Sequence, residues 1–138
     1  MAGEIKRLNI RSTHRFVGET GEEEINTAEC ECELSVRGDA ILIRYSEGEG
    51  ESLCSVRMHY SNGRLTVRRE GAIRSTLTFE AGLRERGEYS AGGLIFDTET
   101  YTKLLDVNFD GGITEIKLVY EMKIAEALRE TEMRISVS

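Results

Sequence analysis

Residues 28–43, AECECELSVRGDAILI, decide the fold. Ala28, Cys30, Cys32, Leu34 and Val36 alternate with Glu29, Glu31, Glu33 and Ser35. A period of two marks a strand with one buried and one wet face. Gly38 and Asp39 interrupt it, and Ile41 and Ile43 resume the apolar phase. Residues opposed in an antiparallel pair lie on one face of the sheet. A two-residue Gly38-Asp39 loop opposes Val36 to Ile41 and Leu34 to Ile43, so all four apolar side chains share a face.

The same test works elsewhere. Asn-Gly favours a tight hairpin because both positions take positive φ, and a two-residue Asn62-Gly63 loop opposes Tyr60 to Leu65 and Met58 to Val67. At Glu70-Gly71 a two-residue loop would set Val67 against Arg74. A three-residue loop, Arg69 to Gly71, sets Val67 against Ile73 instead and gives Gly71 the left-handed position of a bulge turn. Period-two phases also join Leu8, Ile10 and Phe16; Ile73, Leu77 and Phe79; Ile116, Leu118, Tyr120 and Met122; and Met133, Ile135 and Val137. Further turn signals stand at Gly18 to Gly21, Gly48 to Gly50, Gly82, Gly92-Gly93 and Asp110 to Gly112. A turn about every ten residues is the cadence of an all-β barrel or sandwich. Residues 124–130, IAEALRE, suit one helical turn. The expected fold is an antiparallel up-and-down β-barrel of 8–11 strands, a single domain over residues 1–138. Closure needs an even strand number, and 83–90, LRERGEYS, is the weakest strand.

The totals narrow the function classes. Net charge is −7 and there is no polybasic tail, which argues against a nucleic-acid surface. No apolar run approaches the ~18 residues of a membrane helix, and MAGEIKRLNI lacks the apolar core of a signal peptide. Three cysteines, an odd number, do not make a disulfide framework. Together these lead to the expectation of a cytoplasmic protein that meets neither membrane nor nucleic acid.

From Val67 to Tyr120 the chain carries a distinctive order of turn glycines and core aromatics. It runs Val67, Arg69 and Gly71; Leu77, Phe79 and Gly82; Tyr89, Ser90, Gly92 and Gly93; Thr98 and Thr100; Gly111 and Gly112; then Ile116, Leu118 and Tyr120. This resembles the YwiB-like family of small bacterial proteins, a family of unknown function, and length and cadence match over nearly the whole chain. The resemblance implies a calycin-type barrel, the architecture of lipocalins and fatty-acid-binding proteins. It implies no reaction and no catalytic residue. The Gly-x-Trp and Arg-x-Tyr signatures of better-known calycins are absent; Arg134 and Ser136 stand where the second would be.

Candidate chemistry is sparse. Cys30, Cys32 and Cys54 fall on apolar phases and read as core lining, because a C-x-C in a straight strand spreads its thiols too far for a tetrahedral metal. No metal or cofactor is expected. Outward Glu29, Glu31 and Glu33 face Arg7, Arg11 and Arg15 in a charge ladder, with Arg11 near Glu31. His14 is inward and His59 outward, neither at a catalytic spacing, so no catalytic residue is named. The basic residues between Arg57 and Arg86 read as a solvated face. Glu85 stands out. A loop at Ala91-Gly92 opposes Tyr89 to Leu94, Gly87 to Phe96 and Glu85 to Thr98, while the Gly82 loop opposes Leu77 to Glu85. That register puts Glu85 on the inward phase, either as a polar anchor with Thr98, Thr100 and Tyr120 or, on the blander and preferred reading, turned outward by a bulge or sitting at a wet barrel end.

Two functions follow. One is a barrel that binds a small, mostly apolar molecule. The other is a packed barrel acting through its outside as an interaction or structural module. The inward list is bulky, including Phe16, Phe79, Tyr89, Phe96 and Phe109, which favours a filled interior. A continuous interior void of ~300 Å³ would favour the carrier.

Overall fold

Each turn signal in the described residues separates two neighbouring antiparallel strands. The computed structural model describes residues 3–16 and 23–138, so the expected Gly18 to Gly21 turn lies outside them. The strands are β1 (Glu4–Phe16), β2 (Glu23–Arg37), β3 (Ala40–Glu47), β4 (Cys54–Ser61), β5 (Arg64–Gly71), β6 (Ile73–Phe79), β7 (Arg84–Ala91), β8 (Leu94–Asp110), β9 (Ile113–Ile124) and β10 (Ala127–Val137). Each pairs with the next, and β1 pairs with β10 from Leu8↔Val137 to Phe16↔Arg129, closing a barrel of ten strands. Closure gives every strand of the described residues two neighbours, although β6 and β7 bond over three residue pairs alone.

The Gly38-Asp39 and Asn62-Gly63 hairpins have the expected registers: Val36↔Ile41, Leu34↔Ile43, Tyr60↔Leu65 and Met58↔Val67. The β5–β6 register differs. Val67 opposes Leu77, not Ile73, and Arg69 opposes Ser75. Arg69 is therefore a strand residue on the inward face, not part of a turn. The cause is the neighbouring strand, which holds the bend. Cys54 pairs with Gly71, Ala72 N–H donates to the Leu53 carbonyl at 3.1 Å, and Ile73 N–H donates to Cys54 Sγ at 3.2 Å. Gly71 has φ of +129°, and a Cβ there would lie 2.4 Å from the Leu53 carbonyl oxygen. Only glycine passes so close. The shift of four keeps the phase, which is why the core assignments survive it.

Other expectations shift too. Residues 124–130 form no helical turn: Ala125 and Glu126, at φ of +47° and +70°, are a tight turn pairing Ile124 with Ala127. The helical element of the described residues is a 3₁₀ turn at Gly50–Ser52. Arg11 opposes Thr27, not Glu31; in the ladder itself Arg7 pairs with Glu29 at 2.8 Å. Phe16 and Phe109, expected inside, are 44% and 52% exposed because they sit at strand ends on the rim.

One end of the barrel is solid. Leu8, Ile43, Met58, Leu65, Phe79, Leu118 and Ile135 are all at most 2% exposed and belong to one core. Full burial of each such side chain contributes ~1.5–3 kcal/mol. Cys32 and Cys54 are buried and Cys30 is half-buried, all free thiols lining the wall as the alternation implies.

Candidate functional site

The inward faces change character along the strands. Above Phe79, Tyr120 lies across its ring, with centroids 4.7 Å apart and planes tilted by 50°. Beyond this pair the aliphatic core gives way to a cavity of about 320 Å³. Ile10, Ser12 and His14 come from β1, Tyr45 and Glu47 from β3, Arg69 from β5, Ser75 and Leu77 from β6, Tyr89 from β7, Tyr120 and Met122 from β9, and Arg129 and Met133 from β10. Each continues the inward phase of its strand. The same alternation that buries Ile41 and Ile43 therefore brings Tyr45 and Glu47 inside, and the one that buries Leu65 and Val67 brings in Arg69.

The electrostatic centre is an ion pair. Arg69 Nε donates to Glu47 Oε1 at 2.8 Å, with side chains 21% and 40% exposed. Burial opposes the Arg69 charge, but the Glu47 bond and its negative charge overcome that and hold the guanidinium pKa above its ordinary value. Among the described residues the Nη donors of Arg69 have no partner. Ser75 Oγ is buried without one. Tyr45 is buried, and that burial pushes its phenol pKa well up, so it stays protonated. On the far wall His14 Nδ1 lies 2.9 Å from Thr131 Oγ1. Burial, helped by the nearby Arg129 charge, lowers the His14 pKa, so the ring is neutral at pH 7. With His14 neutral, Arg69 and Arg129 against Glu47 leave one net positive charge. The arrangement can hold a polar, acceptor-rich group beside an aliphatic strip of Ile10, Leu77, Met122 and Met133.

Of the four residues anticipated as a ligand anchor, Tyr120 alone lines this cavity. Thr98 and Thr100 are buried in the β8 wall, 4% and 3% exposed. Glu85 is exposed, in a groove along the β6–β7 seam whose lining includes Arg68, Arg69, Arg74, Ser75 and Arg86. Glu85 keeps the inward phase, opposite buried Thr100, but is exposed rather than enclosed. The β7–β8 loop is Gly92-Gly93 alone, so Ala91 pairs with Leu94, Glu85 with Thr100 and Gly87 with Thr98. The β6–β7 ladder covers just Ile73↔Ala91, Arg74↔Ser90 and Ser75↔Tyr89, rather than reaching Leu77 and Glu85. Below it, nothing on β6 bonds the Glu85 segment, and the carboxylate reaches water. Thr100 Oγ1 donates to the Glu85 backbone carbonyl at 3.4 Å, so the Thr100 side chain meets Glu85 through its main chain and not its carboxylate.

Glu47, Ser75 and Arg129 were not singled out from the sequence. Their signal was available: each is a polar residue on an apolar phase, with Ile41 and Ile43, Leu77 and Phe79, or Met133 and Ile135. Arg69 was hidden by its assignment to a turn.

The fold has a solved counterpart. The crystal structure of the ywiB protein from Bacillus subtilis superposes with a TM-score of 0.77 at 16% identity, covering 97% of this chain and 93% of that one. A protein of unknown function from Bacteroides ovatus aligns at 13% identity over 99% of this chain and 40% of that one, with a TM-score of 0.33. No curated protein matches the chain. No helix of the described residues is long and apolar enough to cross a membrane. The model for DUF1934, a domain of unknown function, matches residues 8–135, and the chain belongs to that family.

Proposed function

We propose that the barrel binds a small molecule in the open half of its interior. The observation that carries this reading is the cavity of about 320 Å³ above the Phe79–Tyr120 pair. It falls within the range of small-molecule sites, ~300–1,000 Å³. Its lining also supports the reading. A barrel stabilised by packing alone would fill this space with aliphatic groups, because an unpaired buried hydroxyl such as Ser75 Oγ costs ~1–3 kcal/mol. The lining changes the ligand expected from the sequence. A mostly apolar molecule suits the strip from Ile10 to Met133, but the Arg69 and tyrosine side calls for a polar end with hydrogen-bond acceptors. The alternative of a wholly packed module fits the solid end only.

The test is a fragment titration followed by NMR. Amide shifts that cluster at Tyr45, Ser75, Tyr89 and Tyr120 support the reading. A library of acceptor-bearing fragments that moves none of these resonances contradicts it.

A further inference from the structure

On the outside of the barrel three arginines stand in one row. Arg44 on β3 is directly opposite Arg57 on β4, and Arg57 is directly opposite Arg68 on β5. Neighbouring strands lie about 4.8 Å apart, so the row sets three guanidinium groups side by side across about 10 Å. Like charges directly opposite destabilise a sheet. Here little offsets the repulsion. Arg68 pairs with Glu70 on its own strand at 2.8 Å. Among the described residues Arg44 and Arg57 make no ion pair, although Glu33 is opposite Arg44 at the end of the row. Another opposed pair, Arg11 and Arg134, is relieved by Glu132, 3.6 Å from Arg134.

The row lines a surface hollow of about 390 Å³ whose lining adds Ser46, Ser55 and the carboxylates of Glu33 and Glu70, so three arginines against two glutamates leave one net positive charge. Two hydroxyls beside three guanidinium groups make a surface rich in donors. Arginine forks match phosphate oxygens bidentately, and several in line match linked phosphates. The rest of the molecule restricts the size of the partner. The chain carries −7 overall, and the outer face of β2 holds Glu23, Glu29, Glu31 and Glu33. A long polyanion would cross that acidic surface; a short one would not.

We propose that Arg44, Arg57 and Arg68 form a binding site for a short oligophosphate, the di- or triphosphate group of a small molecule, independent of the interior cavity. Binding would relieve the repulsion that the free row carries.

The experiment measures thermal stability and affinity of the full chain with sodium tripolyphosphate, against sodium chloride at matched ionic strength. Tripolyphosphate is expected to raise Tm beyond chloride, and Arg57→Gln to weaken its binding at least tenfold. In low salt without phosphate, Arg57→Gln is expected to be as stable as the parent or more so, since the central charge is gone. Arg134→Gln should keep the parent affinity. Equal Tm in tripolyphosphate and chloride would overturn the proposal, as would unchanged affinity in Arg57→Gln. Tighter binding of a 20-nucleotide single-stranded RNA than of tripolyphosphate would overturn the choice of a short ligand.

Discussion

Arg69 Nε donates to the Glu47 carboxylate at 2.8 Å on the inside of a β-barrel. The pair sits where the aliphatic core ends, and it is the feature that most distinguishes the two halves of the interior. Removing one partner leaves the other poorly solvated. Arg69→Met is expected to cost about 1–2 kcal/mol, less than the ~3–5 kcal/mol of a fully buried pair, because Glu47 is 40% exposed. The double variant Arg69→Met/Glu47→Leu should recover part of the loss. Urea denaturation of the four chains gives the coupling, and strict additivity would show that the pair does not act as one.

The close approach at Gly71 makes a sharper stability prediction. Gly63 and Gly71 both have positive φ, +77° and +129°, but a Cβ at Gly63 meets nothing within 4 Å. Valine at either position should destabilise by more than about 1 kcal/mol, from backbone strain. At Gly71 the clash with the Leu53 carbonyl adds to it, so Gly71→Val should be clearly the worse. Equal losses at the two sites would mean that the Gly71 bend does not lie against Leu53.

These two cases show what the sequence made legible. Alternation placed Leu34, Ile43, Met58, Leu65 and Leu118 inside, because period two survives any even shift in register. It could not fix the register at Gly71 or Gly92. There the pairing is set by a third strand, through the Leu53 and Cys54 contacts, or by a two-residue loop one position further along the chain. The site suffered for the same reason. Tyr120 was found through its aromatic core phase. Arg69 was lost to a misplaced turn, and Glu85 keeps the inward phase but is exposed because the β6–β7 ladder ends before it.

The position of Glu85 can be checked simply. It is exposed, so Glu85→Gln should change stability by no more than about 0.5 kcal/mol and leave ligand binding unaltered. A marked gain in stability would instead signal a carboxylate buried at a cost.

His14 gives the barrel a pH dependence. Its folded-state pKa lies below the ordinary 6.5, from burial first and the Arg129 charge second. The unfolded chain then binds the proton more readily than the folded one. This contribution is fully present above pH 6.5 and declines as pH falls through 6.5 toward the folded value. His14→Gln should flatten the stability profile across that window. A profile as steep as the parent's would assign the effect to other groups.

The central claim is that the open half of the interior holds a small molecule, and native mass spectrometry of the protein purified from its own host tests it most directly. The account predicts a small adduct on the folded wild-type chain, released on denaturation, and reduced or absent in Arg69→Met. A folded wild-type chain that carries only its own mass, under conditions gentle enough to preserve a known weak complex, would contradict it.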